Sequence, residues 1–266
     1  NYLQSFFSKL ISFLSSIILA RIFFVEDFGY ILAAYTISGF IDVLSNIGLT
    51  SYYYQKTLKN KLEREKILAT TLCITIILFL IIFFLKIFIS LFVKYKYNQI
   101  IGNLLFVHSF CILTSIPNSI YTIVLQKDME FKKISYANFF KDVLSSIVKC
   151  VLAFLGLGAV SVAYGELTGR IFKSIFFIFK NPTILNIKKF DRGSLRIILF
   201  FGKHGFFTGL FSYLNQQMDK IFFTYNYTPF QLGLYNFGSQ NGHLVNQVFL
   251  IPQRKVLSSY YIKIKD

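Results

Sequence analysis

Polar and ionisable side chains recur at helical spacing inside otherwise apolar segments of this chain. Ser5, Ser8, Lys9, Ser12 and Ser16 form one such set, and Thr36, Gly39, Asp42 and Asn46 a second. His204, Thr208, Ser212, Asn215, Gln216 and Asp219 form a third, and Asn236, Gln240, His243 and Gln247 a fourth. Steps of three and four place each set on one face of a helix. Charged groups within an apolar helix face a cavity or another helix rather than hydrocarbon. Four one-sided seams are therefore expected to line a shared polar cavity. The lysines and arginine Lys9, Arg21, Lys203 and Lys220 sit near segment ends, where their stems can snorkel to an interface. They also supply a cationic site for an anionic head group. Asp42, His204 and Asp219 have charges that depend on their surroundings and are candidates for coupling to a proton or cation gradient.

Further charges sit deeper. Asp142, Ser145, Ser146 and Lys149 share a face next to Lys141, and Glu166, Arg170 and Lys173 recur at steps of four and three. The Glu166–Arg170 spacing predicts an ion-pair clamp along one helix. Gly165 and Gly169 form a G-x-x-x-G that lets two helices approach. His108 has no evident partner and reads as structural. Cys73, Cys111 and Cys150 are far apart and read as small packing residues.

Other chemistry is missing. There is no Walker A motif, G-x-G-x-x-G, H-E-x-x-H or C-x-x-C in the sequence. No catalytic residue, cofactor or metal is expected, and the chain is not read as an enzyme. Work done by it would draw on an ion gradient, the membrane potential or a partner that hydrolyses ATP.

The elements that position these residues follow from composition. The 266-residue chain is 55% hydrophobic and 15% charged, against about 25% charged in soluble domains. Uncharged runs such as Ile67–Leu85, Tyr97–Gln126 and Ile221–Gln253 approach or exceed the roughly 20 residues that cross a bilayer as a helix. Unbroken runs, without period-two alternation, favour helices over a membrane barrel. An all-α, polytopic transmembrane bundle of about eight spans is expected, near 3–24, 28–55, 66–93, 98–126, 135–157, 160–180, 197–224 and 230–253.

The net charge of +16 is not a nucleic-acid signature, because the basic residues cluster in alternate connections. Lys56, Lys59, Lys61, Arg64 and Lys66 follow span two, Lys127, Lys132 and Lys133 span four, Lys180, Lys188, Lys189, Arg192 and Arg196 span six, and Arg254, Lys255, Lys263 and Lys265 span eight. Such loops stay in the cytoplasm, which places the N-terminus there too.

A repeat is visible. Arg21-Ile22-Phe23-Phe24 and then Phe28-Gly29-Tyr30 reappear as Lys220-Ile221-Phe222-Phe223 and then Leu232-Gly233-Leu234-Tyr235. Internal repeats are common in transporters, with substrate bound between the copies. Residues 1–180 are then a six-helix N-terminal lobe, 181–196 a cytoplasmic linker, and 197–266 the first two helices of a second lobe. On this reading the chain is incomplete.

Several segments resemble the polysaccharide-transporter family of flippases, the O-antigen and repeat-unit translocases of the multidrug, oligosaccharidyl-lipid and polysaccharide exporter superfamily. They are Ala20-Arg21-Ile22-Phe23 with Glu26-Asp27-Phe28-Gly29-Tyr30; Asp42 with Ile47-Gly48-Leu49 and Tyr54-Gln55-Lys56; Gln126-Lys127-Asp128-Met129-Glu130-Phe131-Lys132; Phe190-Asp191-Arg192 through Asn215-Gln216-Gln217-Met218-Asp219-Lys220; and Leu232-Gly233-Leu234-Tyr235. The resemblance implies 12 to 14 helices in two lobes around a cavity that opens alternately to each side. It implies an undecaprenyl-pyrophosphate-linked oligosaccharide as substrate, destined for O-antigen, capsule or exopolysaccharide, with membrane lipids and polymerase machinery as partners. The alternatives are a multidrug or cation antiporter of the same superfamily, a membrane-embedded glycosyltransferase or polymerase component, and a non-transporting assembly subunit.

Overall fold

The computed structural model describes residues 2–45, 61–180 and 190–245, and the regular elements within them are all α-helices. They are α1 (Tyr2–Ile22), α2 (Val25–Val43), α3 (Lys61–Lys96), α4 (Gln99–Lys127), α5 (Phe131–Phe154), α6 (Val160–Lys180), α7 (Arg192–Asn226) and α8 (Pro229–Val245). The expected order of segments holds, and α7 starts at Arg192 rather than near 197. Residues 46–60, the 181–189 part of the expected linker and everything beyond 245 lie outside the described residues. So do the side chains of Ser5, Gln240, His243 and Gln247. Among the described residues, two helices, Arg64–Lys96 and Gln99–Lys127, are long and apolar enough to cross a membrane by composition alone.

Local chemistry sets the helix ends. The Asn98 side chain accepts from the amides of Ile100 and Ile101 at 2.8 and 3.2 Å and starts α4. Gly156 ends α5 with a φ of +84°, and the Leu157 amide reaches back to the Leu152 carbonyl. This closure needs a left-handed residue, which glycine supplies without strain. Met129 does the same work after α4 with a φ of +56°, at a cost of about 1–2 kcal/mol for a residue with a Cβ.

The first six helices meet in one apolar core. It contains Leu19 of α1, Phe23 just after it, Ile31 and Ala34 of α2, Val93 of α3, Leu104, Leu105 and Val107 of α4, Ala153 of α5 and Ala163 of α6. Within this lobe α3 packs on α4, α4 on α6, α6 on α5 and α5 on α1. The Thr70 hydroxyl accepts from the Asp191 amide at 3.0 Å and ties the start of α7 to α3. Ile198 of α7 is buried there among Ile67, Ile123 and Val124.

The main bridge from this lobe to the last two helices is α2 against α8. Leu32 and Ala33 bury against Leu232, Phe28 meets Phe237 edge-on at 6.0 Å, and the Asn236 side-chain amide donates to the Phe28 carbonyl at 2.9 Å. The two helices also begin alike. The Asp27 carboxylate accepts from the Phe24 amide, and the Gln231 side chain accepts from the Thr228 amide, each at 3.1 Å. Each is an N3 side chain reaching back to the residue that precedes the helix. Both residues of the second pair lie 204 positions after those of the first, the same offset that relates Gly29 to Gly233.

Candidate functional site

Asp42 is the sequence-expected residue that the fold places in the most elaborate surroundings. The helix α2 ends at Val43, so Asp42 lies in its last turn rather than mid-helix. A carboxylate there faces the negative end of the helix dipole and needs a cation. Lys86 supplies it: Nζ lies 2.7 Å from Asp42 Oδ1, and its side chain is 1% exposed. Lys86 stands ten residues before the end of α3 at Lys96, about 15 Å along the axis, on a buried stripe with Phe79, Ile82, Ser90 and Val93. Ile77, Ile81, Phe84 and Phe88 of the same helix are exposed. Sequence reading passed over Lys86, although a lysine between Leu85 and Ile87 in so apolar a helix is itself a signal.

The ion pair continues into a chain of polar groups. Lys86 Nζ donates to Ser38 Oγ at 2.8 Å, and Ser38 Oγ stands 2.7 Å from His108 Nδ1. An ammonium has no acceptor, so the serine oxygen accepts from the lysine. On the other side of the ring, His108 Nε2 faces Glu166 Oε2 at 3.8 Å. Glu166 Oε1 is held by Arg170 at 2.6 and 3.0 Å, the clamp its i,i+4 spacing predicts. Arg170 in turn donates to Ser115 Oγ at 3.3 Å. His108 is thus a bridge between α2, α3 and α6, with the Tyr35 ring packed 5.2 Å from its own.

These groups border a cavity of about 270 Å³ lined by Asp42, Ser45, Lys86, His108, Ser115 and Arg170, with Phe79, Cys111 and Ile112 as its apolar wall. Its charges cancel in pairs, Asp42 with Lys86 and Glu166 with Arg170. Among the described residues no group of three or more His, Cys, Asp or Glu side chains is placed to hold a metal.

The remaining candidates stand elsewhere. Lys9 is half-buried on α1 and Arg21 exposed in its last turn. Twelve residues of helix separate them by about 18 Å. Lys203 is exposed on α7 with Nζ 4.5 Å from the Phe200 ring centre, and His204 meets the same ring edge-on at 6.1 Å. Lys220 is half-buried about 25 Å further along the helix. None of these four cations lines the cavity, and the two on each helix stand too far apart along its axis to form one cluster. Asp219 accepts a hydrogen bond from the Tyr235 hydroxyl, joining α7 to α8. The rest of the α7 seam, Thr208, Ser212, Asn215 and Gln216, is exposed along with His204 and Asp219. On α2 the seam divides. Tyr213 of α7 donates to the Thr36 carbonyl at 2.7 Å and lies over Gly39, while Asp42 turns to Lys86.

Comparison with known proteins places this arrangement. A family model described as polysaccharide biosynthesis protein matches residues 18–266. The chain belongs to this polysaccharide biosynthesis family. No curated protein matches it in sequence. Among solved structures it is similar to an inward-facing multidrug resistance MATE family transporter of the MOP superfamily, with a TM-score of 0.64 and 15% identity. The match covers 86% of this chain and 56% of that transporter, so the chain spans little more than half the length of the protein whose fold it shares. The family member is therefore an all-helical protein with the fold of a membrane transporter.

Proposed function

We propose that the protein is a flippase that moves an undecaprenyl-pyrophosphate-linked oligosaccharide repeat unit, for O-antigen, capsule or exopolysaccharide, across a bacterial inner membrane by alternating access. The observation that carries this reading is the exposed polar seam of α7, running from His204 to Asp219 on a transporter fold in a polysaccharide biosynthesis family. Such a seam is costly against lipid and suits the wall of a wet lumen. Sugar hydroxyls need the mixed donors and acceptors that Thr208, Ser212, Asn215 and Gln216 offer.

In this reading the protein is not an enzyme, and the energy comes from an ion gradient. Asp42, His204 and Asp219 are the coupling groups, and Asp42 acts through its exchange with Lys86. Arg21 and Lys220 serve the head group at one level, Lys9 and Lys203 at the other. The N-terminus faces the cytoplasm, and polymerase machinery receives the product. A multidrug antiporter is the poorer reading, because a cationic drug favours an unpaired acid and both acids of the cavity cluster are already paired with Lys86 and Arg170.

The test is complementation. The full-length protein is expressed in a strain that lacks its own repeat-unit flippase but supplies the cognate sugar pathway. Restored surface polysaccharide supports the reading. No restoration at verified membrane expression argues for drug export or an assembly role.

A further inference from the structure

The helices α5 and α6 cross at the two glycines of the G-x-x-x-G motif. A Cβ on Gly165 would lie 2.7 Å from Lys149 Cβ, and one on Gly169 would lie 2.7 Å from the Lys141 carbonyl and 3.3 Å from Lys141 Cγ. The two lysine stems therefore lie in a groove that bare glycine backbone leaves open. Lys141 pairs with its neighbour Asp142 at 2.8 Å, and their side chains are 33% and 27% exposed. Lys149 and Lys173 have no carboxylate partner among the described residues, although Lys173 Nζ lies 5.5 Å from the Phe177 ring centre. Glu166, the nearest acid on α6, is held by Arg170. The seam thus presents three ammonium groups against one carboxylate, that of Asp142.

Their depth makes this imbalance informative. Lys141 stands ten residues into α5, about 15 Å from its start, and Lys173 seven residues before the end of α6, about 10 Å from it. The glycine contacts set the two helices antiparallel, so these lysines share a level, with Lys149 about 12 Å further along. Cations inside a membrane bundle pair with an anion, and the chain does not supply enough of them here.

We propose that the α5–α6 seam binds the phosphate or pyrophosphate of a lipid head group, with Lys141 and Lys173 at one level and Lys149 beyond. The inference deepens the flippase reading where the ligand is the polyprenyl substrate. It stands without that reading where the ligand is a bilayer lipid.

These 266 residues contain no tryptophan, so Phe140→Trp, at an exposed position beside Lys141, adds a fluorescent reporter, read as the difference from the same protein without it. The purified full-length variant in phosphatidylcholine nanodiscs is titrated separately with undecaprenyl pyrophosphate, undecaprenol, phosphatidylglycerol and inorganic pyrophosphate. The expected result is a saturable change with undecaprenyl pyrophosphate and none with undecaprenol. Lys149→Gln with Lys173→Gln weakens it at least tenfold, arginine at both positions restores it, and Asp142→Asn tightens it severalfold. Saturation by phosphatidylglycerol alone supports the anion site, assigns it to bilayer lipid and leaves the flippase proposal untouched. Saturation by inorganic pyrophosphate supports it as a site for the phosphate itself. Equal binding of undecaprenol, unchanged affinity in the double glutamine variant, or no tightening in Asp142→Asn overturns it. The last variant covers the case in which the double variant fails to fold.

Discussion

Gly29 and Gly233 occupy matching places on the two sides of one helix crossing. A Cβ on Gly29 would collide with the Pro229 carbonyl, and a Cβ on Gly233 would collide with the Val25 carbonyl. Each glycine thus meets the residue four positions before its counterpart. The contact is reciprocal in the manner of a two-fold interface, but it is made by two segments of one chain. The matching caps at Asp27 and Gln231 extend the same relationship. It makes α2 and α8 matching elements that share one surface.

Gly29→Ala or Gly233→Ala should push α2 and α8 apart, because the obstacle is backbone and cannot rotate away. Overpacking of this kind costs about 1–3 kcal/mol. A lowered melting temperature in detergent and reduced surface polysaccharide at equal expression are expected for each. Matching losses at the two positions would check the equivalence.

The Lys86–Asp42 pair gives a sharper test. Lys86→Ala leaves a carboxylate at a helix C-terminus without its cation and is expected to destabilise by about 3 kcal/mol. Lys86→Met combined with Asp42→Asn removes both charges and should recover most of that stability. Thermal melts of the two singles and the double measure the coupling. If the pair also serves transport, the double variant folds but fails to complement.

Glu166→Gln should act similarly through Arg170. It weakens the 2.6 Å contact of the guanidinium and the neighbour facing His108 Nε2. A loss of about 2–3 kcal/mol is expected. Arg170→Lys keeps the charge but loses the two-pronged hold on Oε1, and its melt should fall between wild type and Glu166→Gln.

Tyr235→Phe separates structure from transport at Asp219. The hydrogen bond is exposed, and such interhelical bonds in membrane proteins contribute about 0.6 kcal/mol. The variant should melt almost as wild type and still complement. Asp219→Asn should complement poorly if the carboxylate couples transport to an ion.

Much of this architecture is legible from the residues themselves. Helix order follows from apolar run length, and the α2–α8 relation from the recurrence of a glycine with its flanking aromatics. The Glu166–Arg170 clamp follows from i,i+4 spacing on a single helix. The network around His108 is harder to read, because its partners Ser38 and Glu166 are 70 and 58 positions away on other helices, and no local pattern encodes that meeting. Lys86 is hidden for a different reason. Reading the apolar run as Ile67–Leu85 stops one residue short of it, and the flanking isoleucines and phenylalanines disguise a charge buried in the packing stripe. The dispersal of Lys9, Arg21, Lys203 and Lys220 follows from helix rise alone, since twelve or seventeen residues separate the members of each pair by more than one head group spans.

The most direct measurement is flipping by the full-length protein in proteoliposomes. A fluorescent undecaprenyl-pyrophosphate oligosaccharide is placed in both leaflets, and a membrane-impermeant quencher reports the outer fraction with and without an imposed ion gradient. The account predicts transfer that depends on the protein, accelerates with the gradient and falls at least tenfold in Asp42→Asn. Transfer no faster than in protein-free liposomes, with folded protein and a cognate sugar, would contradict it.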